Sequence, residues 1–209
     1  MESISRNDII EILTGKRRVG FSDNIQAAAN YLRNGKRASG ETEKSFKIKA
    51  QEAEILKKFI VENNLWLKDE FNKYLVEGAE QKVYWIDNKY VLKVNDTIFY
   101  ESWIDYFSSL LLHNFFFTTT KYELVGFIQR NDVLFSVVKQ PFIKSDSATN
   151  LQEVNQLLTE IGFRNTRNND YYSEDLGIIL EDLHDENVIT QSGQLFFIDT
   201  VFYLTWNPS

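Results

Sequence analysis

Asp182-Leu183-His184-Asp185-Glu186-Asn187 is followed, after a short intervening stretch, by Phe197-Ile198-Asp199. An Asp and an Asn five positions apart, with a second Asp beyond a predicted hairpin, present three oxygen-bearing side chains suited to phosphate chemistry on magnesium. Phosphoryl transfer asks the protein mainly to position its reactants: a cation on the phosphates, oxygen ligands for the metal, and a carboxylate near the attacking hydroxyl. In this reading Asp182 orients the substrate hydroxyl or accepts its proton. Asn187 binds magnesium through its amide oxygen, and Asp199 binds the magnesium that bridges the phosphates. Taken alone, Asp182, Asp185 and Glu186 read equally well as a solvated acidic turn. Asp199 changes the balance, because it sits between Phe197-Ile198 and Val201-Phe202, where a carboxylate is costly unless paired, hydrogen-bonded or metal-bound.

Upstream of this block the pattern is period two. Tyr74–Val76, Val83–Ile86 and Tyr90–Val94 read as three successive antiparallel strands, with Asp87-Asn88 as a hairpin turn. Lys93, in Val91-Leu-Lys-Val94, points to the face opposite its apolar neighbours, where it would reach phosphates lying against the sheet. The alternative is an exposed strand lysine with its stem on the sheet. The block Val76-Glu-Gly-Ala-Glu-Gln-Lys-Val83 places Gly78 where a phosphate-covering loop would sit. It lacks the GxGxxG pattern, and Gly78 also reads as an ordinary turn glycine.

Phe99, Trp103, Tyr106, Phe107, Leu110 and Leu111 recur at helical spacing, with Asp96 or Thr97 as the expected cap. Glu101 is the nearest carboxylate on that helix to pair with Lys93, although it lies about 200° from Phe99, opposite the apolar stripe. Tyr122–Gln129 and Val133–Lys139 read as two further strands around Arg130-Asn131-Asp132. Gln140-Pro141-Phe142 ends the run, since proline cannot continue a ladder.

The flanking segments are less eventful. Residues 1–75 read as helices separated by polar turns, with one helix over Ser22–Leu32, a turn around Gly35 and Gly40, and a longer helix over Glu43–Asn63. Lys144–Thr149 reads as a crossover. A helix capped by Asn150 with Glu153 and closed by Gly162 follows, and Asn165–Asp170 reads as a loop. Gly177–Leu180, Asn187–Ile189 and Leu195–Ile198 are short strands, the last two joined at Ser192-Gly193. His184 reads as support for its loop and the aromatic run Phe115–Phe117 as core. Trp66, Trp85, Trp103 and Trp206 take a core or interface reading.

Composition sets the outer limits. Of 209 residues, 43% are hydrophobic, 14% aromatic and 25% charged, the profile of a globular chain. With no cysteine and two histidines, disulfides and thiolate metal sites are excluded and a histidine zinc site is disfavoured. No stretch reaches the roughly 18 apolar residues of a membrane helix, and the N-terminus lacks the apolar core of a signal peptide, so the expected location is the cytoplasm. A net charge of −7 argues against an extended nucleic-acid face, despite the small cluster Lys16-Arg17-Arg18.

Taken together, Gly78-Ala-Glu-Gln-Lys-Val, Val91-Leu-Lys93-Val, Gln140-Pro-Phe, Asp182-Leu-His-Asp-Glu-Asn187 and Phe197-Ile-Asp199 resemble, in order and rough spacing, protein-kinase-like folds. With the aromatic helix and Ile161-Gly162-Phe163 the resemblance is closest to the kinase domain found in polyvalent proteins of phages and conjugative elements, over roughly residues 50–204. It implies an α+β fold: a minimal two-lobed kinase-like architecture with a five-stranded antiparallel N-lobe sheet (74–143), a reduced C-lobe (144–209) and an N-terminal helical segment (1–73). It implies ATP and magnesium as cofactors. Gly78, Lys93, Glu101 and Gln140 would contact the nucleotide, Asp182 would be catalytic, and Asn187 and Asp199 would hold metal.

The expected activity is phosphate transfer from ATP to a hydroxyl of an unidentified acceptor, small molecule or protein. The alternative is a pseudokinase acting as a nucleotide-binding or protein-interaction module; a third reading makes residues 1–45 a protein-binding module. The sequence also departs from protein kinases. Leu180-Glu181 precede Asp182 where His-Arg would stand, and Thr200-Val201 follow Asp199 in place of Phe-Gly. With ten residues after Asp199, the expectation is that the peptide-binding helices of a full C-lobe are absent.

Overall fold

The computed structural model describes residues 4–17, 23–39, 45–71, 74–77 and 81–206. In chain order its elements are helices α1 (Arg6–Thr14), α2 (Asp23–Ser39) and α3 (Ser45–Glu62), then strands β1 (Tyr74–Glu77), β2 (Gln81–Trp85) and β3 (Tyr90–Asn95). Helix α4 (Trp103–Phe116) and a 3-10 turn (Thr118–Thr120) lead to β4 (Glu123–Arg130), β5 (Val133–Pro141) and α5 (Leu151–Glu160). The chain then runs through β6 (Arg164–Arg167), β7 (Asp170–Ser173), β8 (Ile178–Glu181), β9 (Val188–Gln191), β10 (Gln194–Phe197) and β11 (Val201–Leu204). Helices and antiparallel sheets make the fold α+β. Among the described residues no helix is long and apolar enough to cross a membrane.

The chain divides into two units, one of Gly20–Ser108 with Tyr122–Phe142 and one of Met1–Val19, Ser109–Lys121 and Ile143–Ser209. The first is built on a five-stranded antiparallel sheet in the order β1-β2-β3-β5-β4. One part of its core gathers Tyr84, Val94, Ile128 and Val137 with Leu67, Phe71, Leu92 and Phe135. The first turns of α4 bring Trp103, Tyr106 and Phe107 into ring contact with one another, and Trp103 and Phe107 reach Phe127 of β4. Asp87 makes the β2–β3 turn, its Oδ1 accepting from the main-chain nitrogens of Lys89 and Tyr90 at 2.7 and 3.0 Å.

Two expectations for this unit are corrected. Gly35 does not break the N-terminal helix but lies inside α2, where an added Cβ would meet the Ile55 side chain of α3. The aromatic helix does not begin at Asp96 or Thr97. Asn95 and Asp96 instead turn their side chains onto the main-chain nitrogens of Thr97 and Ile98, and Thr97 takes a left-handed φ of 62° that a helix cannot use. α4 opens at Trp103, with the Ser102 hydroxyl accepting from the Asp105 nitrogen at 3.0 Å. Phe99 and Glu101 therefore precede the helix. Trp66, read as core or interface, is 39% exposed on a stretch that bridges to Phe127.

The second unit carries a four-stranded sheet, β11-β8-β7-β6, and the two-stranded hairpin β9–β10. Phe117 stacks on Phe197 with ring centroids 4.0 Å apart, and Phe116 stacks on Phe202, so the aromatic run is core as expected. α5 ends as Gly162 takes φ 92°, with Phe163 N bonded to the Leu158 carbonyl and Gly162 N to that of Thr159. Residues Asn165–Asp170 are not a plain loop. Arg164–Arg167 and Asp170–Ser173 pair as a hairpin whose first strand is exposed throughout and so carries no apolar alternation. β11, which pairs Val201 with Glu181 and Leu204 with Ile178, is a strand that the period-two pattern did not announce.

Candidate functional site

The decisive block lies wholly in the second unit, at the exit from β8. Glu181 is the last paired residue of that strand, and Asp182 then takes a left-handed φ of 67°, an uncommon conformation for a residue with a Cβ. The β6–β7 hairpin holds this bend. Asp182 N donates to Asp170 Oδ1 at 3.3 Å, and Leu183 N donates to the Asn169 carbonyl at 3.3 Å. Leu183 is fully buried and anchors the loop while Asp182 on its flank is exposed.

A turn then closes over His184. The nitrogens of Asn187 and Val188 both donate to the His184 carbonyl at 3.0 Å. The His184 ring supports the loop as expected and does more. Its Nδ1 accepts from Glu186 N at 3.3 Å, which leaves Nε2 to carry the proton and donate toward Asp182 Oδ1, 3.1 Å away. Asn187 completes the arrangement: its Nδ2 lies 2.8 Å from the Asp182 carbonyl and 2.8 Å from Asp182 Oδ2. With the amide nitrogen committed to Asp182, the Asn187 side chain has its oxygen left as the ligand atom.

Asp199 joins this pair through the backbone. Ile198 N and Asp199 N converge on the Asn187 carbonyl at 2.9 and 3.4 Å, which brings Asp182, Asn187 and Asp199 to one place in the unit. Asp199 is half-buried. Acidic surroundings extend behind the loop, where burial, and then the charges of Asp170 and Asp182, push the Glu181 carboxyl above its ordinary range.

The residues expected at the nucleotide lie in the other unit. Lys93 is on β3 opposite Val138 and is only 4% exposed, so it is not the surface lysine of the alternative reading; its ammonium lies 5.5 Å from the centre of the Tyr122 ring. Gln140 is buried on β5 opposite Val91. Glu101 is exposed in the segment before α4. Its helical-angle relation to Phe99 does not apply, because neither residue is helical. Gly78 lies outside the described residues.

The family model for the Serine/Threonine/Tyrosine Kinase found in polyvalent proteins matches residues 49–206. The chain belongs to this kinase family. Membership makes it kinase-like and a transferase by family. The match opens at Lys49, within α3. No curated protein and no solved structure matches the chain.

The oxygens that could hold a metal here come from few side chains. Among the described residues no group of three or more His, Cys, Asp or Glu side chains gathers to hold a metal ion. Asn187 and Asp199 offer hard oxygens in small number, the kind of set that holds magnesium when substrate phosphates and water complete the shell. Sequence reasoning identified Asp182, Asn187 and Asp199 but missed the loop's supports, Asp170 and Asn169. No periodic signal marks these, since they sit at a polar hairpin.

Proposed function

We propose that this kinase-family chain is an ATP- and magnesium-dependent phosphotransferase that moves the terminal phosphate of ATP to a hydroxyl of a small-molecule or protein acceptor. In the finer fold assignment, residues 74–143 act as a kinase-like N-lobe, 144–209 as a reduced C-lobe and 1–73 as a helical extension. The observation that carries the reading is the grip on Asp182. A carboxylate held at Oδ1 by His184 and at Oδ2 by Asn187 is fixed in direction yet exposed, as a group that orients an attacking hydroxyl must be.

Asn187 and Asp199 would hold magnesium, which supplies charge neutralisation on the phosphates. Lys93 and Gln140 would contact the nucleotide, with Glu101 and Gly78 as further contacts. Calorimetry of ATP binding with and without magnesium tests the proposal, and no binding by the wild-type chain overturns it. Where binding occurs, Asp182→Ala is expected to abolish phosphate release or transfer while leaving nucleotide affinity in place. Binding with no turnover on any hydroxyl acceptor would instead make the chain a nucleotide-sensing module.

A further inference from the structure

His113 on α4 has no exposed surface, and both of its ring nitrogens are engaged. Nε2 lies 2.9 Å from the Thr120 carbonyl, which can only accept, so Nε2 carries the proton. Nδ1 is then the acceptor, and its donor is the hydroxyl of Thr200 at 2.7 Å. Thr200 directly follows Asp199. On the other side of Asp199, the Thr120 hydroxyl donates to the Phe197 carbonyl, and the Phe197 ring stacks on Phe117 with planes 10° apart. The chain is thus tied down before and after Asp199 by one turn, the end of α4 and the 3-10 turn beyond it.

A buried imidazole and a buried hydroxyl are costly to leave unpaired, and an apolar pair of the same shape would fill the space without that demand. What the polar pair adds is direction. We propose that His113 is a positioning residue for Asp199: acting through Thr200, it fixes the backbone that aims the Asp199 carboxylate at magnesium. The inference rests on Asp199 being a metal ligand. Outer hydrogen bonds of this kind govern how well a ligand is presented, and losing one typically weakens metal binding about 10–100-fold.

The test titrates magnesium into the full chain holding a non-hydrolysable ATP analogue and follows the melting temperature. Thr200→Val removes the hydroxyl while keeping the shape, and Thr200→Ser keeps the hydroxyl. Thr200→Val is expected to raise the half-saturating magnesium concentration about tenfold or more, with affinity for the analogue in the absence of magnesium unchanged; Thr200→Ser leaves the midpoint at the wild-type value. His113→Phe should follow Thr200→Val, and if it fails to fold, Thr200→Val decides. A folded Thr200→Val chain with the wild-type midpoint overturns the positioning role alone, as does a Thr200→Ser midpoint displaced as far as that of Thr200→Val. A wild-type chain with no magnesium response, or an Asp199→Ala chain with an unchanged midpoint, overturns the ligand reading and the inference with it.

Discussion

Asn187 donates to Asp182 through one amide nitrogen that lies 2.8 Å from both the main-chain carbonyl and Oδ2. The five-residue spacing that singles out the pair in the sequence is thus the spacing of a closed turn, with His184 inside it contacting the other carboxylate oxygen. Asp182 stands at a left-handed φ, and the loop that keeps it there is held by the Asp170 and Asn169 contacts of the β6–β7 hairpin. The carboxylate is therefore preorganised on a rigid support, which is what a group acting by position requires.

Replacing the carboxylate tests this directly. Asp182→Asn keeps the size of the side chain and removes its basicity, and turnover is expected to fall about 10²–10⁴-fold, the usual contribution of a positioned general base. Nucleotide affinity measured by calorimetry should stay near that of wild type. A variant that loses binding and turnover together would place Asp182 in nucleotide binding instead.

Glu181 makes stability depend on pH. Burial, followed by the charges of Asp170 and Asp182, raises its carboxyl above the unfolded value. The native state therefore favours the protonated form: the associated stability is fully present below the unfolded value of about 4.3 and is lost as pH rises through the folded one. Glu181→Gln should melt at a higher temperature than wild type at pH 7, and the gap should close as pH falls to about 4. Melting curves taken across that range check it, and a gap that does not vary with pH counts against it.

A buried carboxylate also seats the start of α4. Glu52 of α3 has no exposed surface, and its Oε2 accepts from Trp103 N, at the first residue of the helix, at 2.6 Å. One turn earlier on α3, Lys49 donates to the carbonyls of Thr97 and Tyr100, and burial lowers its ammonium below the usual lysine range. Glu52→Leu leaves the Trp103 N–H buried without an acceptor and should cost about 1–3 kcal/mol. Glu52→Gln retains an acceptor at the same position and should cost less. Urea denaturation separates the two, and equal losses would remove the hydrogen bond from the account.

The strands of the five-stranded sheet and the β9–β10 hairpin were legible because alternation and turn residues mark them, Ser192 and Gly193 both taking positive φ as a tight turn requires. Asp182, Asn187 and Asp199 were grouped from their oxygen-bearing side chains, their order and the apolar setting of Asp199, and the bonds of Ile198 N and Asp199 N to the Asn187 carbonyl bring them together. What escaped has physical causes. The start of α4 was placed too early because Asn95 and Asp96, good caps on paper, spend their side chains on turns instead. That error carried Glu101 onto a helix it does not occupy. The β6–β7 hairpin was missed because Arg164–Arg167 is exposed throughout, and with it went the support of the Asp182 loop. Nor could any spacing join His113 to Thr200, 87 residues away.

Gly126 and Gly35 make a final pair, because both are glycines inside regular elements yet only one is under backbone pressure. At Gly126, beside the irregularity in the β4–β5 pairing, an added Cβ would run into the Leu65 carbonyl oxygen and lie 2.8 Å from Leu67 Cγ. That stretch is held against β4 by Leu67 N to the Phe127 carbonyl and Phe127 N to the Leu65 carbonyl, both 2.9 Å. Gly126→Ala must therefore displace hydrogen-bonded backbone, and an overpacking loss of about 1–3 kcal/mol is expected. At Gly35 the nearest atoms are Cγ2 and Cδ1 of the Ile55 side chain, at 3.2 and 3.3 Å, which need give by only a few tenths of an ångström, and an alanine there gains helix propensity of up to about 1 kcal/mol. Gly35→Ala should then be close to neutral or mildly stabilising. Chemical denaturation followed by tryptophan fluorescence compares them; a Gly126→Ala chain as stable as Gly35→Ala would show that the Leu65–Leu67 stretch is not fastened to β4.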